Sequence, residues 1–500
     1  MFNGCTALTT APALPATALT DYCYYEMFRG CTALTTAPAL PATTLSDYCY
    51  QKMFYKCSNL NYVVCLAPNI PASNCVKNWL YQVASSGTFV KAPNMTSWTT
   101  NSANGIPSGW TVNTMDNVFT TDGNWNVAAN WSNNAVPTAG SSVVIAAHAI
   151  IPSGYIADAK CVIVNEGKTL TIADGGQLIH DNMVNATLQK GITGFGNDNS
   201  VETGWFTIAS SVTGNFSTES ITIGTYDLYC YNEPTHYWWN TKDNSQNGHC
   251  FNTLNNGKGY LYANSADQTL TFTGATQATN TTVTILLSYT IAADSLKGFN
   301  LLGNPFSCNV THGNVILDGE ALSMYYFVDG GSELAPVALS ERAIKPGEGF
   351  FVQATAANQQ LVFNPAQTRV ETPDQPAYIR IEAGNDSFMD CAYVQIGQGN
   401  TLHKMSINDN TPKVYVMHDG NDYAAATINV AEGEMPVNFK AAENGTYTLT
   451  IDIRNMALGY LHLVDTITGS DVDLLATPTY TFIAKTTDYA SRFKLVFSAK

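Results

Sequence analysis

The sequence predicts a mainly β fold: a short solenoid of stacked repeats followed by tandem all-β modules of sandwich or β-solenoid type. Three observations predict it. Residues 1–26 and 27–52 are the same text at all but five positions, so the chain opens on a repeat with a period of 26 residues. Beyond it, short Val- and Ile-rich runs alternate with Gly, Asn and Asp, the pattern of strands joined by tight connections. No helical period is sustained over ten residues between 201 and 375.

A degenerate third copy keeps the register, with Met53, Phe54, Cys57, Leu60, Leu66 and Cys75 aligned to Met27, Phe28, Cys31, Leu34, Leu40 and Cys49; Trp79 and Leu80 open the last trace of a fourth. A period of 26 lies in the ~20–29 range of leucine-rich repeats, whose copies each supply a strand and a turn and bury their apolar side by stacking. The F-x2-C-x2-L spacing of Phe28, Cys31, Leu34 and of Phe54, Cys57, Leu60, followed by Leu-Pro, resembles the BspA-like (Treponema-type) leucine-rich repeats of bacterial surface proteins, in their Bacteroides variant. The resemblance covers residues 1–80 and implies an extracellular or cell-surface location. DYCYxxMF stands where the broader family has a Gly-centred turn. Met1 occupies the repeat position of Met27 and Met53 and no signal peptide precedes it, which predicts further copies and an export signal upstream.

Seven of the twelve cysteines precede residue 76, in the columns Cys5/Cys31/Cys57 and Cys23/Cys49/Cys75 with Cys65 apart. Equivalent residues of stacked coils sit ~4.7–4.9 Å apart with parallel side chains. The expected role is a buried thiol ladder, with disulfides and metal as the alternatives; no C-x2-C occurs. Cys230 with Cys250 is the one pair that suggests a bridge.

The expected divisions are a repeat solenoid at 1–84, its cap and linker at 85–116, a β-rich module at 117–200, a β-sandwich at 201–371 and an immunoglobulin-like sandwich at 377–500. Trp98 and Trp110 suit a cap over the last coil. The runs SSVVIAAHAII, KCVIV and KTLTIADG read as strands of a sandwich or parallel β-solenoid, and Trp125 with Trp131 ahead of them resembles a segment common in secreted modules of the same bacteria. GFNLLGNPFS and IKPGEGFFVQA resemble a β-sandwich module of type IX-secreted surface proteins, with Phe299 at its usual Trp; the resemblance implies a structural role. TPDQP reads as a linker. The last strands resemble the module that precedes the sorting domain of type IX cargo.

Only 12% of residues are charged and the net charge is −16, the wrong sign for a nucleic-acid partner. No window supplies the ~20 apolar residues of a membrane-spanning helix. Metalloprotease, nucleophile-elbow, P-loop and dinucleotide motifs are all missing from the sequence, so a non-enzymatic role is expected. The carboxylates Glu233, Asp243, Glu341 and Glu348 are too generic to pair as a hydrolase, and His236 and His249 with Cys230 and Cys250 match no standard metal spacing. No cofactor is expected; Asp- and Asn-rich loops at 197–199, 329–333, 408–410 and 419–422 could hold Ca²⁺ or be solvated turns.

The binding candidates are Tyr229, Tyr231, Tyr237, Trp238 and Trp239, which form either a stacking platform or a sandwich core. Ser295 and Thr466 stand in D-S-L and D-T-I triplets that resemble O-glycosylation acceptors. The leading expectation is adhesion to a protein on a host or microbial surface through the Thr- and Ala-rich face of the solenoid. Glycan binding and self-association into a fibre are the rival classes.

Overall fold

The computed structural model describes all residues except 97, 101, 116, 197–202, 244–247, 291–295, 366–375 and 407. It is mainly β, and the helices among the described residues are short 3₁₀ turns such as Ala128–Asn130. The repeat does form stacked coils. Backbone amides reach from one coil to the next: Phe2 to Met27 O (3.0 Å), Phe28 to Met53 O (2.9 Å), Phe54 to Trp79 O (2.9 Å). Between them, alternate amides turn back within their own coil, as Tyr25 does to Tyr22 O and Met27 to Tyr24 O. The DYCYxxMF stretch is therefore a run of overlapping turns. Its residues adopt left-handed backbone at every fourth position: Tyr22, Glu26 and Gly30, then Tyr48, Lys52 and Lys56, then Asn74, Asn78 and Gln82. Non-glycine residues there cost about 1–2 kcal/mol each, and the inter-coil hydrogen bonds hold them.

The TTAPALPAT half of each copy forms isolated bridges (Ala18 to Thr44, Thr36 to Tyr62, Leu40 to Cys65) in place of strands. Prolines 12, 15, 38 and 41 remove the amides a ladder requires. Where proline is absent the ladder forms: β1 (Tyr62–Cys65), β2 (Gly87–Lys91) and β3 (Trp110–Thr114) are parallel and in register. Inside, Phe2, Phe28 and Phe54 stack with centroids 5.5 and 5.6 Å apart, and Trp79 ends the column. Trp79, Trp98 and Trp110 each donate the indole N–H to a carbonyl, of Gly105, Ala67 and Ala84.

A second stack follows. β4 (Asn117–Phe119), β6 (Ser142–Ile145) and β9 (Cys161–Val164) form one parallel wall. β5 (Gly123–Asn124), β7 (Ala149–Ile151), β10 (Leu170–Ile172) and β12 (Val184–Ile192) form another, and β8 (Ile156–Asp158) with β11 (Gln177–Ile179) a third. Of the two forms open for 117–200, this is the β-solenoid. Trp125 and Trp131 fill its core with Phe119. The stack runs back alongside the first: Val144, Cys161 and Ile163 join the array's own core, Lys160 lies 4.3 Å over the Tyr62 ring, and Thr17 bonds Glu166 at 2.6 Å.

β12 pairs along all nine residues with the strand Gln268–Thr276, so hydrogen bonding crosses the division expected at 200 and joins solenoid to sandwich. The two motifs of that sandwich are cross-strand partners, Phe299 opposite Gln353 through Gly303 opposite Gly349. A Cβ on Gly298, whose φ is +74°, would lie 2.1 Å from Ala354 O. The Asn304 side chain donates to Cys308 O and Ile344 O and accepts from Phe306 N, which closes the NPF turn.

The strands of 377–500 form one continuous hydrogen-bonded sheet, from which only Leu402–His403 branches, with one face enclosing the module's own core, where an immunoglobulin-like fold would have two separate sheets. The cause is the strand Asn421–Ile428, which pairs parallel with Met389–Ile396 and antiparallel with Lys413–His418. Most of TPDQP lies outside the described residues, but the bodies on either side of it are fused. Phe299, Tyr326 and Phe351 share a core with Tyr378, Tyr393 and Leu402. The Tyr326 hydroxyl donates to His403 O and accepts from Met405 N, and Lys413 meets Glu333 at 2.6 Å.

Arg492 and Asp465 form a buried pair at 2.7 Å. Burial pushes the Asp465 carboxyl up, but bonds from Arg492, the Ile467 amide and the Tyr480 hydroxyl outweigh it and leave the group below its ordinary value. A carboxyl lowered on folding contributes stability above its unfolded value of about 3.9 that is lost as pH falls through the folded value. Melting temperature measured downward from about pH 5 should therefore fall less steeply in Asp465→Asn than in the native chain; equal slopes would contradict this role.

Candidate functional site

Two surfaces collect the side chains capable of recognition. On the array, the Thr and Ala side expected to bind a partner is turned toward the second stack. One cleft of ≈310 Å³ lies between Thr9, Thr10, Thr35 and Thr36 and Asp181 and Asn280. Another, of ≈410 Å³, lies between Pro15 and Ala16 and residues such as Asn165, Lys168 and Asn185. The TTAPALPAT face is thus part-covered.

The other side carries tyrosines. Tyr22 is 54% exposed, Tyr25 39% and Tyr81 40%. Tyr22 stacks on Tyr48 (4.5 Å, 4°) and Tyr55 on Tyr81 (5.1 Å, 17°), with the Arg29 guanidinium 5.3 Å over Tyr55. Coil stacking fixes these rings, because each is held one rung from its repeat equivalent. The charges beside them are internally matched: Asp21 and Asp47 accept the amides of Asp47 and Ser73, and Glu26 meets both Arg29 (3.0 Å) and Lys52 (3.1 Å). DYCY in both copies is the sequence signal for this face.

All twelve cysteines are free, and the one pair open to a bridge, Cys230 with Cys250, is not joined: Cys230 is buried in the sandwich and Cys250 is exposed. Cys31 and Cys57 donate their thiols to Phe2 O and Phe28 O at 3.0 Å, each one coil back. Burial pushes the thiols of Cys49, Cys57 and Cys65 up to about 12. Since the thiolate is the reactive form, Ellman's reagent at pH 8 should modify the exposed Cys5, Cys23 and Cys250 of the folded chain, and all twelve in urea. Rapid native modification of more than these would contradict the ladder.

The second surface is the hairpin of Tyr226–Asn232 and Tyr237–Asn240. Its register sets Tyr231 opposite Trp238 and Cys230 opposite Trp239. Tyr229, Tyr231 and Trp238 face the core shared with Phe351, Tyr231 lying 5.8 Å from that ring. Tyr237 and Trp239 lie on the opposite face, Trp239 resting on the core around Leu228 and Cys230. The five candidates therefore divide three to the core and two to the other face. His249 joins those two, its imidazole 5.5 Å from Tyr237 and 5.9 Å from Trp239 with planes inclined by 25° and 15°.

Three of the candidate carboxylates are engaged by donors of the chain. Glu233 accepts from Thr290 N, Thr290 Oγ1 and Gly298 N; Glu341 accepts from the Tyr378 hydroxyl; Glu348 is paired with Arg342. In the loop at 329–333, Asp329 meets Lys190 and Arg342 while Glu333 meets Lys413, so cations of the chain occupy the carboxylates that Ca²⁺ would need. The loop at 197–199 and Ser295 lie outside the described residues. Thr466 is exposed but donates its hydroxyl to Arg492 O at 2.7 Å. Among the described residues no group of three or more His, Cys, Asp or Glu is placed to hold a metal, and no helix is long and apolar enough to cross a membrane. No family model, curated protein or solved structure matches the chain.

Proposed function

We propose that the chain is an exported, non-enzymatic adhesion protein that binds a protein partner through the tyrosine side of its coil array, with the fused β-modules as a rigid support. The observation that carries this reading is two stacked tyrosine pairs, Tyr22 on Tyr48 and Tyr55 on Tyr81, with Tyr25 edge-on to Tyr22 and Arg29 over Tyr55; Tyr22, Tyr25 and Tyr81 are the exposed members and Tyr48 and Tyr55 are half-buried. Tyr and Arg are enriched among residues that dominate binding energy, and pre-stacked rings lose little freedom on contact. The resemblance of residues 1–80 to BspA-like repeats supports a surface location. The engagement of Glu233, Glu341 and Glu348 by donors of the chain itself supports the absence of hydrolase chemistry.

Deleting the array is a poor test, because Val144, Cys161 and Ile163 would lose their cover. The triple variant Tyr22→Ser, Tyr25→Ser, Tyr81→Ser should instead lower capture of the partner from host or bacterial surface extracts by about tenfold or more. Tyr489→Ser, at a distant side chain that is 86% exposed, should not. Equal capture by the triple variant and the native chain would remove the tyrosine face from the mechanism.

A further inference from the structure

We infer that the middle sandwich carries a separate site for a neutral carbohydrate, on Tyr237 and Trp239. The strand Tyr237–Asn240 is the edge of its sheet, and alternation sends Trp238 inward while Tyr237 and Trp239 share the opposite face. Tyr237 is 60% exposed, and His249 stacks near-parallel against both rings.

The second observation is polar. Trp239 Nε1 and, two residues on, Thr241 Oγ1 are shielded from water and have no hydrogen-bond partner among the described residues. Leaving a buried donor or acceptor unsatisfied costs about 1–3 kcal/mol, and such groups are normally paired. Trp79, Trp98, Trp110 and Trp131 each donate the indole N–H to a carbonyl, whereas Trp125, in the core of the second stack, is unpaired as Trp239 is. An exposed ring beside an unpaired N–H and an unpaired hydroxyl matches a pyranose, which offers a C–H face for stacking and hydroxyls that both donate and accept.

Charge favours a neutral sugar. The cation next to this hairpin, Lys242, bonds Tyr226 O and Asp227, and Glu233 is enclosed by its three donors. Lys258 also lies near enough to act on the Cys230 thiol, so the acidic glycans in the test decide whether the site is neutral. This site lies in a different module from the tyrosine face of the array, so either can fail without the other.

The test is a glycan array of neutral hexose and N-acetylhexosamine oligosaccharides, with sialylated and sulfated ones alongside, probed with the full chain. Calorimetry on the best neutral oligosaccharide then compares variants. Tyr237→Ala should weaken binding about tenfold by removing the stacking ring. Trp239→Phe should weaken it about fivefold, the weight of one net hydrogen bond. Tyr489→Ser should bind as the native chain does. A blank array, a preference for the acidic glycans, or neutral binding that survives both hairpin variants would overturn the site.

Discussion

Glu348→Ala lowers the stability of the chain by about 3–5 kcal/mol, the expected cost of removing one partner from a buried ion pair. Glu348 is fully buried and sits in the PGEGFF turn. Its carboxylate accepts two bonds from Arg342 (2.9 and 2.8 Å) and one from the Lys345 amide (2.8 Å), and Lys190 lies 3.7 Å away. Alanine leaves the Arg342 and Lys190 cations facing a cavity, with only the part-exposed Asp329, at 3.5 and 3.4 Å, to offset them. Glu348→Gln keeps the shape and the acceptor oxygen, so it should cost less. Urea unfolding followed by tryptophan fluorescence measures both. A loss below about 1 kcal/mol for alanine would mean that the pair is hydrated and exerts little hold.

Phe54→Ala should cost about 3–5 kcal/mol by the usual penalty for emptying a buried aromatic site. Phe54 is fully buried between Phe28 (5.6 Å, 4°) and Trp79 (6.4 Å), so the cavity opens in the middle of the ring column. Coils of a solenoid contact only their neighbours, which by itself would let the array unravel alone. Here the array shares its core with Val144, Cys161 and Ile163 of the second stack. Hydrogen exchange in Phe54→Ala should consequently accelerate at the amides of Phe28 and Tyr50 and also at Val144. Acceleration confined to residues before 84 would show that the two stacks open independently.

The architecture was legible where the period was intact. Repeats 1–26 and 27–52 announced stacked coils, and the same comparison placed Cys31, Cys57, Phe28 and Phe54 in columns. The β-rich character of the remainder followed from alternation at positions such as Tyr447, Leu449 and Ile451. Long-range arrangement was not legible. The return of the second stack along the first depends on Val144, which looks like any core valine in SSVVIAA but faces a different core from Val143 and Ile145. TPDQP suggested a linker, because two prolines describe the local chain and say nothing of the Tyr326, Met405 and Lys413 contacts that fuse the flanking bodies. At the hairpin, two-residue alternation correctly separates Trp238 from Trp239, yet which of them faces inward is decided by the Phe351 ring across the sheet. The exposure of Tyr22 and Tyr25 likewise depends on which side of the array the second stack covers.

The central claim, adhesion through the tyrosine side of the array, is tested most directly by hydroxyl-radical footprinting of the chain alone and in complex with its captured partner. The account predicts protection of Tyr22, Tyr25 and Tyr81 in the complex, with Tyr489 and Tyr237 unchanged. Unaltered oxidation of Tyr22, Tyr25 and Tyr81 alongside new protection elsewhere would contradict it.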